Sequence, residues 1–349
     1  ITTRLVGSEM CIRDRAMALL LASCSSNDND LLPENPVNAT PIQVSQSVQG
    51  MVKTRAAVGV GSDVTATVLV ADGDQAADWT KFSPVLANEV KEDGGQNKLT
   101  TRATVSTASF KAGSKATVSL NPILYYHTTS GTKSWLAAVA PAGTVSGTTV
   151  TIPQTDGEQD VMLADAAEAG SSSSQQKPEL TFKHLTTQLN FEMKLTTQAS
   201  GGEWSGQTVS LKKISVQDAQ VPAEVNVAPA SGKAGVSKWT DAAVMNVGGI
   251  SSVALGADAV RVGNPLMIQA SGQVVIDAVI SVGGTDITFS NVTIKKQDNT
   301  TDLSTEAGKS HLITLNVTEP LTPEDATKMT VTATVTDWVA GDAGHADLN

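Results

Sequence analysis

The sequence predicts an all-β fold, organised as two tandem antiparallel β-sandwiches. Val, Thr, Ala and Gly are abundant, whereas aromatic residues make up 3% of the chain. Val and Thr favour the pleated, half-buried surface of a strand. Short segments that alternate apolar and polar residues recur between clusters of Gly, Pro, Asn and Asp. Many short strands separated by turn residues indicate antiparallel sandwiches rather than a parallel sheet.

The strands of the first half are predicted from this alternation. The clearest lies at 64–70, where Val64, Ala66, Val68 and Val70 share one face. Residues 71–98 are rich in Asp, Gly, Asn and Lys, and a loop is predicted there. The remaining strands are predicted at 42–55, 99–110, 116–120, 123–127, 135–140 and 148–152.

A Ser-rich, aperiodic segment at 166–177 predicts the boundary between an N-terminal domain at 41–176 and a C-terminal domain at 177–349. The last predicted strand, 329–338, has the most regular alternation, with Met329, Val331, Ala333 and Val335 on one face and threonines on the other. The other strands of this half are predicted at 180–195, 208–217, 265–270, 274–282, 287–295 and 311–318.

The N-terminal region is predicted to carry an export signal. Residues 1–15 are expected to be non-native, because LVGSEMCIRDR resembles a translated sequencing adapter; the alternative is the basic start of a genuine signal peptide. Residues 16–23 are expected to be the remnant of an apolar signal peptide, and 21–24, LASC, match a bacterial lipobox. Lipid is therefore expected on the thiol of Cys24, followed by a flexible tether at 24–40; the alternative is a chance Cys after an apolar run.

Charge and cysteine content narrow the predicted partners. The net charge is −11 and no basic cluster is present, which argues against nucleic acid or anionic lipid as a partner. Cys11 and Cys24 are the two cysteines, so a chain that begins at Cys24 is expected to lack disulfides. No other stretch approaches the ~18 apolar residues of a transmembrane helix. Attachment to the outer membrane is therefore expected through the lipid at Cys24.

Residue patterns that carry enzyme chemistry are missing from the sequence. The four histidines, at 127, 184, 311 and 345, have no neighbours at metal-ligand spacing. No G-x-S-x-G motif, glycine-rich phosphate loop or usable catalytic Cys is found. We therefore predict no enzymatic activity, no metal and no cofactor. His184 is expected to be a hydrogen-bonded structural residue.

Several segments together resemble the fimbrillin and Mfa-like family of type V pilus subunits. The first is MVKTRAAVGVGSDVTATVLVADGD at 51–74, in which a strand ends in an Arg-Ala step. The segment 123–143 resembles an aromatic strand followed by an apolar strand and Pro, although His127 stands where Pro is common in the family. The others are LTFKHLTTQLNFEM at 180–193, AGKSHLITLNV at 307–317 and MTVTATVTDWVAG at 329–341. Their order is the family's, and the resemblance covers nearly all of 42–341.

The resemblance implies transthyretin-like sandwiches and a cell-surface pilus subunit that assembles by strand exchange. In this family an arginine-specific protease removes the first strand, and a strand of another subunit fills the groove. The Arg55-Ala56 step matches the cleaved bond; the alternative is a solvated arginine at a strand end. The donor would be the strand that carries Met329, Val331, Ala333, Val335 and Trp338, which is otherwise the closing strand of the C-terminal domain.

Two other functions remain open at the level of sequence. One is a non-polymerising outer-surface lipoprotein that binds glycans, which stack on exposed aromatic rings. The tryptophans are spread along the chain, so an aromatic platform is not evident. The other is an anchor or tip subunit of a pilus: an anchor would keep its first strand, and a tip would lack a usable donor strand.

Overall fold

The computed structural model describes residues 35–49, 58, 61–113, 118–198, 201–296, 298, 300–321 and 328–337, the last range by its backbone alone. These residues form strands and one short 3₁₀ helix, Trp79–Lys81, so the predicted all-β fold is confirmed. Among them, no helix has the length and apolar character needed to span a bilayer.

Among the described residues, twelve strands lie within 35–184, which we call the first half. They are β1 Ser45–Val48, β2 Asp63–Asp72, β3 Glu89–Asp93, β4 Gln96–Thr101, β5 Val105–Lys111, β6 Ser119–Asn121, β7 Ser134–Ala140, β8 Thr144–Ser146, β9 Thr149–Thr151, β10 Met162–Ser171, β11 Ser174–Gln175 and β12 Glu179–His184.

Twelve more of the described strands lie within 187–337, which we call the second half. They are β13 Thr187–Thr196, β14 Val209–Ala219, β15 Pro222–Asn226, β16 Gly235–Trp239, β17 Ala243–Asn246, β18 Val253–Ala254, β19 Val260–Ile268, β20 Val275–Val282, β21 Thr285–Thr293, β22 Lys295–Lys296, β23 Lys309–Thr318 and β24 Lys328–Asp337.

The largest sheet belongs to the first half and is covered on both faces. Its order is β1-β12-β10-β7-β2-β5-β6, with β11 paired to β10. In β2 the side chains of Val64, Ala66, Val68 and Val70 enter one apolar core, which confirms the predicted shared face. Leu69 enters a second core on the opposite face. We call the first of these the groove core and the second the shared core.

The shared core is built by both halves of the chain. A four-stranded sheet of order β16-β15-β9-β8 lies over it, so that strands from before and after β10 pair directly. Val150 of β9 and Val225 of β15 are opposite each other in register, and both are fully buried. The remaining strands of the second half form two sheets, β19-β13-β23-β24-β22 and β17-β14-β20-β21 with β18 beside β14, which enclose a third core.

Two predictions about local structure in the first half are wrong. Part of the predicted loop at 71–98 forms the β3–β4 hairpin, whose β3 is exposed at all five residues and so has no apolar alternation to detect. The predicted strand at 123–127 makes one isolated bridge, between Pro41 and Tyr125.

The predicted strand at 180–195 is divided between β12 and β13, which lie in different sheets.

The Ser-rich segment predicted as a domain boundary is a β-hairpin. It continues β10, turns and returns as β11, and the following strand β12 pairs with β10 in the same sheet. The pairing of the first-half sheet therefore extends to His184. Most strand pairs are antiparallel as predicted, but three are parallel: β1 with β12, β13 with β23 and β22 with β24.

Candidate functional site

Within the described residues, the first strand, β1, forms an edge of the large sheet and pairs with β12. Four register pairs run in parallel, from Ser45 opposite Glu179 to Val48 opposite Phe182. The amide of Ser45 donates to the carbonyl of Pro178 at 2.9 Å, and the amide of Gln49 donates to the carbonyl of Phe182 at 2.8 Å. Parallel pairs are slightly less stable per residue than antiparallel ones. The strand is short, and the main-chain hydrogen bonds described for it are those with β12 and its flanks.

Side chains of β1 and of the residues just before it nevertheless close the groove core. Ile42, Val44 and Val48 are each at most 5% exposed and belong to that core. Gln46 is also buried, and its Nε2 donates to the carbonyl of Lys111 in β5 at 3.1 Å. The strand thus pairs with β12 through its backbone and reaches β5 through a side chain. Its removal would expose apolar surface between these two strands.

The segment before β1 is fixed by a second set of contacts. The amide of Ile42 donates to the carbonyl of Leu124 at 2.8 Å, and the amide of Tyr126 donates to the carbonyl of Thr40 at 3.0 Å. The side-chain amide of Asn38 donates to the Leu99 carbonyl at 3.2 Å, and its oxygen accepts from the Leu99 amide at 2.8 Å. Residues 35–49 therefore pack onto the first half as one continuous segment.

The predicted cleavage step lies between β1 and β2 in the chain. Arg55 and Ala56 are outside the described residues, as is the lipidation candidate Cys24. Val58 is described: it is partly buried and packs against the groove core. Cleavage after Arg55 would separate β1 covalently from the rest of the sheet.

The predicted donor strand is β24, which pairs with β23 over its whole length. Met329, Val331, Ala333 and Val335 stand opposite Val317, Leu315, Ile313 and His311, respectively. These four residues of β23 are buried. Trp338 is outside the described residues. On its other side β24 pairs with the two-residue β22, so most of that edge is open within the described chain.

A buried His–Asp pair lies at the end of the strand that holds β1. Nδ1 of His184, the last residue of β12, is 2.8 Å from Oδ2 of Asp160, and the two side chains are 2% and 0% exposed. Met162 of β10 stands opposite His184 in register. The pair therefore ties the end of β12 to the segment that leads into β10. No local pattern reveals this contact, because its members are far apart in sequence.

A second buried histidine lies beside β24. His311 is 1% exposed and faces the same side of β23 as Ile313. Neither ring nitrogen has a hydrogen-bond partner among the described residues. Burial lowers the pKa of His311 from 6.5 to about 4; to a smaller extent the Glu306 charge raises this pKa and the Lys309 charge lowers it. The side chain is therefore neutral at physiological pH.

Comparison of the sequence with known protein families identifies the family of this chain. The family model described as fimbrillin-like matches residues 70–338, more than half of the chain. The chain belongs to the fimbrillin-like family. This confirms the resemblance seen in the sequence and supports a pilus-type subunit at the cell surface. No curated protein sequence matches the chain.

Solved structures from Bacteroides species resemble the fimbrillin-like chain over most of its length. A cell adhesion protein from Bacteroides uniformis is 13% identical, with a TM-score of 0.47, 85% of this chain covered and 99% of the other. One from Bacteroides ovatus is 15% identical, with a TM-score of 0.44 and coverages of 87% and 99%. A fimbrial protein from Bacteroides vulgatus is 11% identical, with a TM-score of 0.37 and coverages of 85% and 99%.

The fimbrillin-like chain also has an open cleft that sequence reasoning missed. Its volume is about 590 Å³, and its polar lining includes Arg102 and Asp72, which form an ion pair. Phe82 contributes an aromatic edge and packs against Trp79, with ring centroids 5.5 Å apart. Among the described residues, no group of three metal-ligating side chains is found.

Proposed function

We propose that the chain is a structural subunit of a surface pilus, assembled by strand exchange after an arginine-specific protease cuts between Arg55 and Ala56. The observation that carries this proposal is β1, a four-residue parallel edge strand that closes an apolar core together with Ile42 and Val44 just before it. The cut removes β1 together with the residues before it. A strand from another subunit then occupies the edge of β12.

Cleavage weakens the attachment of β1 to the sheet without changing its contacts. While the chain is intact, β1 is tethered to β2 and rebinds at a high effective concentration. After cleavage, rebinding competes with a strand of another subunit. The incoming strand forms main-chain hydrogen bonds with β12 and fills the sites of Ile42, Val44 and Val48, each worth about 1.5–3 kcal/mol when fully buried.

The positions of the arginines favour cleavage at Arg55. Three arginines follow Cys24 in the sequence: Arg55, Arg102 and Arg261. Arg102 is held by the Asp72 carboxylate and by the Tyr125 carbonyl, the latter at 3.0 Å. Arg261 lies within β19, which pairs with β13. A protease needs an accessible, extended backbone, so these two sites are poor substrates.

The donor in this proposal is the strand β24, which lies at the C-terminal end of the described chain. Its alternating residues would supply the apolar side chains for the vacated core sites, as alternate residues do in strand addition. The transfer is head to tail, and a heterologous contact that does not close builds a filament. Because β24 is fully paired with β23 within the subunit, it must leave the second-half sheet before it can be donated.

The lipid at Cys24 completes the proposal. It would hold the unprocessed subunit at the outer membrane through the tether, and cleavage after Arg55 would release the subunit from that anchor. An anchor subunit would differ by keeping β1 and its lipid. Processing and membrane release are thus one event in this proposal.

The test uses the chain from residue 24 with Cys24→Ser, treated with an arginine-specific protease. Intact mass reports cleavage, and an unboiled denaturing gel reports assembly. We expect one cut, after Arg55, and a ladder of denaturation-resistant oligomers. The matched control is Arg55→Lys, which keeps the charge and should remain uncut and monomeric. A chain that is cut at Arg55 but stays monomeric contradicts strand exchange and favours the non-polymerising alternatives.

A further inference from the structure

The open cleft lies in the first half of the chain and is walled by three segments. They are the end of β2 with the loop that follows it, within 70–78, the 3₁₀ helix with the residues after it, within 79–85, and the turn at 127–132 before β7. Arg102 and Thr104, between β4 and β5, complete the lining. The volume of about 590 Å³ is within the range of clefts that bind small ligands, ~300–1,000 Å³. The described lining residues lie outside β1 and β12, so the cleft is separate from the edge proposed to accept a donor strand.

The loop that forms one wall of the cleft is fixed at both ends. The amide of Gly73 donates to the carbonyl of Lys133 at 3.0 Å, and the amide of Asp78 donates to the carbonyl of Asp72 at 2.8 Å. The loop passes so close to itself that a Cβ atom at position 73 would lie 1.8 Å from the carbonyl oxygen of Ala76, which explains the glycine. The wall is therefore formed before a ligand arrives, and a preformed site loses less conformational entropy on binding.

The charged side chains of the cleft neutralise one another in pairs. Arg102 forms an ion pair with Asp72, and Nζ of Lys81 is 2.7 Å from Oδ2 of Asp78. Asp74 adds one carboxylate, so the described lining carries three carboxylates against two cations, a net charge of −1. This balance disfavours an anionic ligand, and it leaves both donors and acceptors of hydrogen bonds at the surface of the cleft. The lining therefore suits an uncharged ligand that is rich in hydroxyl groups.

Two donor side chains of the cleft are held in fixed orientations. Nη1 of Arg102 donates to the carbonyl of Tyr125 at 3.0 Å and to Oγ of Ser134 at 3.3 Å, which anchors the guanidinium group. Nδ1 of His127 accepts from the amide of Thr129 at 3.0 Å, so the neutral ring carries its hydrogen on Nε2. Guanidinium and imidazole N–H groups donate to hydroxyl oxygens, and the carboxylates of the lining accept from hydroxyl hydrogens.

Phe82 gives the cleft an apolar aromatic surface beside these polar groups. Its ring packs on the shared core and contacts the ring of Trp79, with centroids 5.5 Å apart, so its position is fixed. A sugar ring combines hydroxyl groups around its rim with C–H bonds on its faces, and those faces pack against aromatic rings. An ion-paired set of donors and acceptors next to one aromatic ring matches both parts of such a molecule.

We propose that the open cleft binds a neutral saccharide, with Phe82 against one face of a sugar ring and the Asp72–Arg102 pair hydrogen-bonded to its hydroxyl groups. His127 donates a further hydrogen bond from Nε2. This site adds recognition of surface glycans to a pilus-type subunit. Binding needs neither cleavage at Arg55 nor strand exchange, because the cleft is present in the uncleaved chain.

The experiment applies saturation-transfer NMR to the uncleaved chain from residue 24 with Cys24→Ser. The neutral probes are the methyl glycosides of galactose, mannose, fucose and N-acetylglucosamine, and the charged probe is the methyl glycoside of N-acetylneuraminic acid. Titration of the best neutral probe gives its dissociation constant, which we expect on the order of 1 mM for one sugar ring in an open cleft. The charged probe should bind more weakly than this neutral probe, because the lining has a net negative charge.

Two substitutions test the site. Arg102→Lys keeps the charge but loses the planar guanidinium, and Phe82→Leu keeps an apolar side chain but loses the ring. Each should weaken binding of the neutral probe about tenfold or more. The matched controls are Arg261→Lys, at a residue of β19 that pairs with Glu192, and Phe289→Leu, in the core of the second half. Both controls lie outside the lining of the cleft and should bind like the wild type.

Several results would overturn the proposal. One is the absence of saturation transfer to every neutral probe, and another is a charged probe that binds more tightly than all of them. Unchanged affinity in both Arg102→Lys and Phe82→Leu places the saccharide elsewhere and also overturns it. If the substituted chains do not fold, hydrogen exchange of the wild type decides. Saturating glycoside should slow exchange in peptides that cover 73–82 and 127–132 but not in one that covers 261–268, and equal exchange with and without glycoside refutes the site.

Discussion

The folded protein should lose stability in weak acid because the buried His311 must become protonated. Replacing His311 with Leu should remove this loss. His311 is 1% exposed, and burial lowers its pKa from 6.5 to about 4. The unfolded chain therefore binds a proton at this position more readily than the folded chain does. The stability that the neutral imidazole provides is present above about pH 6.5 and is lost progressively as the pH falls towards 4.

The size of the effect follows from the two pKa values. For a folded pKa of about 4 and an unfolded value of 6.5, linkage gives a loss of about 1 kcal/mol at pH 6 and about 2 kcal/mol at pH 5, relative to pH 7.5. The loss levels off near 3 kcal/mol below pH 4, where both states are protonated. Other groups also titrate in this range. The informative quantity is therefore the difference in the free energy of unfolding between the wild type and His311→Leu at each pH.

The assay is urea unfolding of both proteins at pH 7.5, 6 and 5, followed by Trp fluorescence. Trp204 is buried in the same core as Ile313 and reports on it directly. Between pH 7.5 and pH 5, we expect the free energy of unfolding to fall by about 2 kcal/mol more in the wild type than in His311→Leu. A difference that stays constant over this range would refute the assignment of the acid sensitivity to His311.

Two further substitutions test how each half is held together. Val44→Ala should destabilise the first half by about 1.5–3 kcal/mol, because it empties part of the groove core, whereas Val37→Ala, at a 59% exposed residue, should change the urea midpoint little. Glu319→Ala should cost about 1–3 kcal/mol, because the buried carboxylate accepts from the amides of Gln198 and Trp204, each at 2.9 Å. Hydrogen exchange of the Gln198 and Trp204 amides measures the effect of Glu319→Ala. Unchanged protection of these amides would contradict the role assigned to Glu319.

The sequence predicted best those strands that have one apolar face. In β2 and β24 apolar residues alternate with polar ones, and both strands are found where the pattern predicted them. Strand β10 was missed because it lies within a sheet that is covered on both faces. There the neighbouring strands approach through small residues such as Ala138 and Ala164, which are fully buried, and alternation disappears.

The candidate site was predictable only in part, for a related reason. A lipobox, an Arg-Ala step and a terminal strand are local patterns, so they can be read from neighbouring residues. The groove core and the Asp160–His184 pair depend on which strands become neighbours. The parallel pairing of β1 with β12 joins segments separated by most of the first half, and no residue in either segment specifies the other.

The division of the cores explains how a subunit could lose its first strand and remain folded. Ile42, Val44 and Val48 belong to the groove core, and no residue of β1 enters the shared core or the core of the second half. The shared core stays covered, because the sheet over it is formed by β9 and β15 rather than by β1. Loss of β1 therefore opens one face of the large sheet while the opposite face stays packed. That asymmetry is what strand exchange requires: an accepting edge that is apolar and open, on a sheet held in shape from its other side.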